Sequence, residues 1–532
     1  MTLSTPKSDS NSHPNGARFT PQSLARVSHR LREVTHVVWN ADKTAIGVQF
    51  ETPNPQQLIA SLPPLYPEWL GGRNFGEAHG LRFPYVAGAM ANGIATVSLV
   101  KEMAKVGMLG FFGAAGLSVD QIAKSIEQLS ELDQNGQSWG SNLIHAPNEP
   151  DVENATADLY IQRGVRRVSA AAYMKLTPAV VRYALHGLHQ TPDGSIARRN
   201  HLFAKISRPE VAQHFMSPAP SEMVQHLLKH GLITTEEARL APHVAVAEDF
   251  TVESDSGGHT DNQALSALFP TISELRSSIQ RKHGYQRPIR LGAAGGIGTP
   301  RAVAAAFALG ADYVLTGSVN QGCVESGLHP SGKMMLAKAG LADVVMAPAA
   351  DMFELGVEVQ VLKRGSMFGV RAKKLYDLYR QYSSLFEIPS SERQLLEKSI
   401  LKTSIDEAWA ATHQYWANRD PREVDRALLE PKHQMALVFR SYLGQSSKWA
   451  IAGQSERQLD YQIWCGPAMG AFNAWSAGSF FDSVSNRRVA QVALNLMEGA
   501  AIITRAQQLR SFGVALPLEA FDVRPQQLAV EV

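Results

Sequence analysis

From Phe83 onward, short apolar runs alternate with stretches whose apolar residues recur at helical spacing, the pattern of parallel strands joined by crossover helices. The candidate strands are Phe83 to Gly88, Met108 to Phe112, Trp139 to His145, Arg167 to Ala171, His201 to Ile206, His243 to Ala247, Pro288 to Gly292 and Tyr313 to Leu315. Between them lie helical segments such as Thr96 to Lys105, Ser118 to Leu132, Val152 to Arg163, Pro178 to His189, Ser273 to Arg281 and Pro300 to Leu309. Strand-then-helix units of this number, in about 240 residues, predict an α/β protein built on a (β/α)8 TIM barrel. A doubly wound open sheet is the structural alternative, because one-dimensional patterning does not prove closure.

The flanks differ in texture. Residues 1–18 are rich in Ser, Asn, Pro and Thr and are expected to form a disordered arm. Residues 19–74 combine a helical piece (Gln22 to Arg32), a β-like piece (Val34 to Phe50) and the Pro-rich connector Leu62 to Pro67, which predicts a small N-terminal subdomain. The barrel is assigned to 75–325, and past Asn320 the β/α alternation stops. Residues 349–371 are expected to pack beside the barrel. The span 326–515 reads as a mainly helical region, shaping a substrate channel or an oligomer contact, and 516–532 as a tail.

Composition narrows the function classes. The chain has 532 residues, and its 51 basic and 49 acidic side chains leave a formal charge of +2, with no long-range field to gather nucleic acid or anionic lipid. The two cysteines, Cys323 and Cys465, are far apart, which argues against zinc, iron–sulfur and disulfide frameworks; no metal is expected. The N-terminus lacks the apolar stretch of a secretory signal, and no run of about 18 apolar residues occurs. A soluble protein of the reducing cytoplasm is expected, without membrane or nucleic-acid partners.

Glycine is concentrated where the strands should end. The run AGAMANG, Ala87 to Gly93, offers small side chains past which a planar ring can approach the backbone; a tight turn would also explain it. AAGGIGTP (Ala293 to Pro300) and TGSVN (Thr316 to Asn320) follow the seventh and eighth strands. There Gly295, Gly296, Gly317 and Ser318 can present N–H groups beside a helix N-terminus, where barrels commonly hold phosphate. Neither a P-loop nor a strand-following G-x-G-x-x-G is present, which points away from ATPase and dinucleotide-fold chemistry.

The run AEDFTVESDSGGHTDN, Ala247 to Asn262, groups Glu248, Asp249, Glu253, Asp255, His259 and Asp261 around Gly257 and Gly258. A mobile glycine pair would thus deliver an imidazole, able to exchange a proton near neutral pH, at the barrel mouth. A carboxylate-rich metal loop is the alternative, disfavoured by the single histidine. Asn142 and Lys205 fall at strand ends on the same face, where an amide and an ammonium can bond a flavin edge or neutralise a phosphate.

Together AGAMANG, NLIHAPNEP, FAKIS, SGGH, AAGGIGTP and GADYVLTGSVNQ resemble the trans-acting enoyl reductase (PfaD-type) family of bacterial polyunsaturated fatty acid and polyketide synthases, within the nitronate monooxygenase-like FMN barrels. The resemblance runs from about Pro67 into the C-terminal helical region. It implies bound FMN, NADPH as reductant, and reduction of a trans-2-enoyl chain presented by an acyl carrier protein domain. It also implies a homodimer. Carried onto this chain, it puts Gly88, Ala89 and Met90 at the flavin ring, Asn142 and Lys205 at its polar edge, Gly295, Gly296, Gly317 and Ser318 on the phosphate, and His259 beside the flavin as the catalytic residue. Two other readings stay open: a nitronate monooxygenase-type flavin oxidase, and a non-catalytic flavin-barrel subunit of a megasynthase.

Overall fold

The computed structural model describes residues 16–147 and 149–529. Most of the expected arm therefore lies outside the described residues, although Arg18 already pairs with Val48. Among the described residues, Tyr85–Ala87, Leu109–Phe112, Gly140–Ile144, Arg167–Ala171, His201–Ile206, Asp249–Glu253, Arg290–Ala294 and Tyr313–Thr316 form a closed parallel barrel in sequence order. The last strand pairs with the first through Leu315 and Val86.

Side chains alternate along each strand, so one parity fills the interior. Val86, Leu109, Phe111, Phe203, Ala294, Tyr313 and Leu315 pack there on one another and on Phe75 from the Arg73–His79 helix, which plugs the floor. Phe75 stacks on Tyr313 at 4.3 Å. The other parity faces the surrounding helices: Ser141 and Tyr160 share a hydrogen bond of 2.8 Å between the third strand and the Pro150–Arg163 helix.

The sixth strand corrects the expectation from sequence. It is Asp249–Glu253, not His243 to Ala247. Val244 to Ala247 are buried, but they lead into the strand as a loop, held by the N–H groups of Val246 and Ala247 on the carbonyls of Ser217 and Phe215. The polar residues Asp249, Thr251 and Glu253 point inward and hide the strand among charged neighbours. The following helix, Leu265–His283, is longer than Ser273 to Arg281 and carries Pro270 in its second turn, where few backbone bonds are lost. The helix expected over Gln22 to Arg32 is reduced to Pro21–Leu24 and a short turn at Val27–His29.

The N-terminal segment forms a three-stranded antiparallel sheet of Thr35–Trp39, Ile46–Gln49 and Leu58–Leu62. Over the barrel mouth, Glu358–Leu362 pairs with Gly258–His259 on one side and Val344–Pro348 on the other, and Val361 bridges to Trp464. Helices dominate from Phe368 onward. The long Val489–Ser511 helix packs on Pro300–Ala308, so closely that a Cβ on Gly499 would lie 2.6 Å from the ring of Pro300. The tail follows this helix, with the N–H of Leu528 donating to Gln491. Among the described residues no helix is long and apolar enough to cross a membrane.

Candidate active site

The interior separates two kinds of chemistry at opposite ends. At the floor, Asp249 is wholly buried and receives both Arg290 nitrogens, at 2.6 and 2.8 Å, together with His79 Nε2 at 3.1 Å. Burial alone would raise the carboxyl of Asp249; the charge of Arg290 and the hydrogen bonds of Arg290 and His79 more than reverse this and hold it far below its ordinary value. Burial also lowers His79, and lowers His201 further, so both rings stay neutral. One ligand-type atom each from His79, His201 and Asp249 lie within 4.8 Å of one another, but Arg290 already occupies both carboxylate oxygens. This cluster is an ion-pair plug. Asp249 and its neighbour Glu248, which binds Arg198, therefore do not join the mouth loop with which their sequence positions group them. The intervening strand carries them to the other end.

At the mouth the inward layer is Asn142, Lys205 and Glu253. Lys205 Nζ pairs with Glu253 at 2.9 Å, and Ser256 Oγ donates to the same carboxylate at 3.0 Å. Asn142 Oδ1 accepts the N–H groups of Ala114 and Ala115, at 2.7 and 3.2 Å. Its oxygen is spent on shaping the loop after the second strand, and its amide N–H2 is left for anything bound above. Gly88, Ala89 and Met90 follow the first strand. A side chain at Gly88 would strike Leu315, and the carbonyl of Met90 accepts the N–H of Ala95, so this turn is tight as well as small.

In the glycine clusters after the seventh and eighth strands, Gly296 and Gly317 face open space while Gly295 packs against Ser254. Gly295 and Gly296 adopt φ of 87° and 67°, in the left-handed region, and Cβ atoms at Gly296 and Gly317 would meet nothing within 4 Å. The Pro300–Ala308 helix starts here, with Thr299 capping the N–H of Ala302. Ser318 Oγ accepts from the N–H of Gly466 at 3.0 Å, leaving its hydroxyl hydrogen to donate elsewhere. Buried Asn320, whose amide nitrogen is held by Thr316, has an Oδ1 without a hydrogen-bond partner. Backbone N–H groups, a helix dipole and open volume make a cradle with the chemistry of a phosphate site.

The SGGH loop is not loose. Gly258 and His259 are strand residues, paired with Gln360 and Val359. Gly257 is small because a Cβ there would lie 2.8 Å from the backbone of Cys465, and Gly258 has φ of 86°. The acidic residues around them are engaged: Asp255 by Gln360 at 2.7 Å, Asp261 by Arg208 at 2.7 Å and Ser207 at 2.5 Å, Glu253 by Lys205. His259 Nε2 faces a carboxylate from elsewhere, lying 3.3 Å from Asp351 Oδ1.

Three features of the mouth are not signalled by the motifs. Asp351 is one. A second is the segment from Ile463 to Ala468, which runs beside the Glu358–Leu362 strand and abuts both Gly257 and the phosphate loop, marked only by the Gly466-Pro467 pair ahead of a helix. The third is His145, inside the NLIHAPNEP run. Its Nδ1 lies 3.0 Å from Glu153, and its ring stacks on Tyr173 at 5.1 Å. Burial would raise Glu153, but bonds from His145, Thr177 and the Ala146 N–H outweigh it and hold the carboxyl low. Cysteine chemistry is excluded at neutral pH: both thiols are buried, that of Cys465 pushed up to about 12 and that of Cys323 higher.

The chain matches the nitronate monooxygenase family over residues 75–368, and the inserted helical domain of [acyl-carrier-protein] S-malonyltransferase over residues 382–461. It is 43% identical over 449 residues to a polyunsaturated fatty acid synthase polypeptide of Thraustochytrium sp., covering 83% of this chain and 30% of that protein. It is 42% identical over 436 residues to polyketide biosynthesis protein PksE of Bacillus subtilis, covering 82% of this chain and 56% of that one. Both relatives thus extend well beyond the matched region. The crystal structure of the enoyl reductase domain of MlnA, from the macrolactin biosynthesis cluster of Bacillus amyloliquefaciens, superposes with a TM-score of 0.79 and 37% identity, covering 84% of this chain and 98% of that one.

Proposed function

Because this chain belongs to the nitronate monooxygenase family and, within it, to the trans-acting enoyl reductases of polyunsaturated fatty acid and polyketide synthases, we propose that it is an FMN-dependent, NADPH-consuming reductase of trans-2-enoyl chains on acyl carrier protein. The observation that carries this reading is the meeting, at one barrel mouth, of an open glycine cradle and a strand-held histidine.

The residues fit a flavin mononucleotide. Gly295, Gly296, Gly317 and Ser318 would hold its phosphate, the Gly88 to Met90 turn would lie against its ring, and the Asn142 amide and Lys205 would meet its polar edge. Bound there, the flavin supplies a two-electron carrier between the nicotinamide and the enoyl thioester. The chain contributes position and charge. Lys205, tied to Glu253, keeps a cation on a strand end rather than a loop, and the loop shaped by Asn142 closes the cradle on the far side. His259 would supply the proton required at the substrate, and the neighbouring thiol of Cys465 is too basic to compete.

The test is the visible spectrum of the purified protein under anaerobic NADPH, followed by a crotonyl thioester. The expected result is flavin absorbance that bleaches and then recovers. Oxygen-dependent turnover of a nitronate, without NADPH oxidation on the enoyl thioester, would overturn the proposal in favour of an oxidase. A colourless protein that still binds carrier protein would overturn it in favour of a docking role without catalysis.

A further inference from the structure

We propose that Asp351 is the positioning residue of His259, fixing the imidazole so that it serves as the proton donor to the α-carbon; this rests on the enoyl reductase reading above. The surroundings of the ring single this carboxylate out. Every acidic group of the ring's own loop is taken by another partner: Glu253 by Lys205, Asp255 by Gln360, Asp261 by Arg208. Glu358, next to the strand partner of His259, makes no ion pair with the ring. Asp351, from the turn after the Val344–Pro348 strand, is the carboxylate within 4 Å of the ring.

That turn is built to hold the carboxylate still. The N–H of Ala349 donates to Val357 at 2.9 Å, Arg440 Nε donates to the Ala350 carbonyl at 3.0 Å, and the Met352 N–H returns to Asp351 Oδ1 at 3.1 Å. One turn on, Glu354 is bound by buried His433 at 2.9 Å and by Arg440 at 3.3 Å, and His433 also reaches Glu423 at 2.8 Å. His433, Arg440 and Glu423 all belong to the helical region, so helices far along the chain brace a residue of the barrel mouth. Half of the Asp351 side chain is exposed; the protein around the rest raises its carboxyl, and the neighbouring imidazole more than offsets this and holds it below its usual value.

The chemical consequence follows from the two ring nitrogens. Nε2 lies 3.3 Å from Asp351 outside hydrogen-bond geometry, so the carboxylate acts through its charge, which in a neutral ring favours the hydrogen on that side and leaves Nδ1 as an acceptor. Protonated, the ring donates through Nδ1 while the carboxylate stabilises the added charge. In the productive step the Nδ1–H bond breaks and its electron pair stays on nitrogen. The proton would join the α-carbon through the π pair of the alkene, the β-carbon taking the hydride equivalent that a bound, reduced flavin would supply. The ring then regains a proton from water.

The test uses flavin-loaded Asp351→Asn and Asp351→Glu. For Asp351→Asn, kcat on a crotonyl thioester is expected to fall by at least about tenfold, with KM and NADPH bleaching of the flavin little changed. Asp351→Glu is expected to recover most of the rate. In parallel, ¹⁵N NMR of histidine-labelled protein, with the His259 signal identified by its loss in His259→Gln, is expected to show the Nε2–H tautomer in the native protein and a mixture in Asp351→Asn. Native kcat in Asp351→Asn, or a tautomer unchanged from the native one, would overturn the proposal. If the native enzyme reduces no enoyl thioester, the catalytic reading falls by itself, and the tautomer alone decides whether Asp351 positions the ring.

Discussion

A Cβ built on Gly298 would lie 2.0 Å from the carbonyl oxygen of Ala468, far inside contact distance. The glycine belongs to the loop after the seventh barrel strand, and the carbonyl opens the Ala468–Ser476 helix of the C-terminal region, so the phosphate cradle is clamped from outside the barrel. Gly298→Ala must push the helix or the cradle aside. Overpacking of this kind costs about 1–3 kcal/mol, and the expected outcome is a lower Tm together with loss of flavin on gel filtration. Gly296→Ala makes the contrast: nothing lies near its Cβ, so the apoprotein should lose only about 1 kcal/mol from its left-handed φ, while the added methyl enters the phosphate space and weakens flavin binding. Equal flavin retention by both variants and the native chain would sink the assignment of the cradle.

Asn142 separates shaping from binding. Its oxygen satisfies two loop N–H groups, and its amide nitrogen is free of that task. Asn142→Ala leaves two buried donors unpaired, at about 1–3 kcal/mol each, and should lower both stability and flavin affinity. Asn142→Asp keeps the acceptor and removes the N–H2. It is expected to unfold near the native midpoint in urea yet bind flavin more weakly, read by fluorescence titration.

The floor plug makes the fold sensitive to acid. Burial holds the pKa of His79 and His201 below the ordinary value, so the unfolded chain takes up protons near pH 6.5 that the folded chain refuses. The stability they confer is therefore complete above about pH 6.5 and is lost as pH falls towards their depressed folded values. The steepest decline expected is about 1.4 kcal/mol per pH unit for each ring. Asp249, also depressed, adds its loss only at lower pH, below its ordinary 3.8. Urea midpoints between pH 7.5 and 4.5 should fall in the native protein and flatten in His201→Phe. Removing the carboxylate in Asp249→Ala strands Arg290 in the interior and should cost about 3–5 kcal/mol at neutral pH.

What is legible in the sequence follows from the range of the interactions involved. The glycines at 295, 296 and 317 declare themselves because a left-handed φ or an open cradle excludes other residues locally. His259 does so because it follows a glycine pair. The sixth strand escapes the pattern because its inward residues are polar, and Asp249 is tolerable inside only through Arg290 on the next strand. Asp351 and Ala468 carry no local mark at all. Their places at the mouth are set by the pairing of Glu358–Leu362 with Gly258–His259 and by the packing of the C-terminal helices, which periodicity along the chain does not encode.

His259 offers the sharpest separation of the two halves of the proposed reaction. The ring belongs to a strand paired with Gln360 and Val359, so removing it leaves the backbone of the loop in place. The phosphate cradle and the Gly88 to Met90 turn lie on other strand ends and do not depend on it. Flavin should therefore stay bound in His259→Ala, and its bleaching by NADPH in anaerobic stopped flow should keep the native rate. Recovery of absorbance on a crotonyl thioester needs a proton at the substrate, and it is expected to slow by about a hundredfold or more, the usual worth of a positioned general acid. Native rates in both halves would remove His259 from the chemistry, whereas slowing of the first half alone would move it to the nicotinamide side.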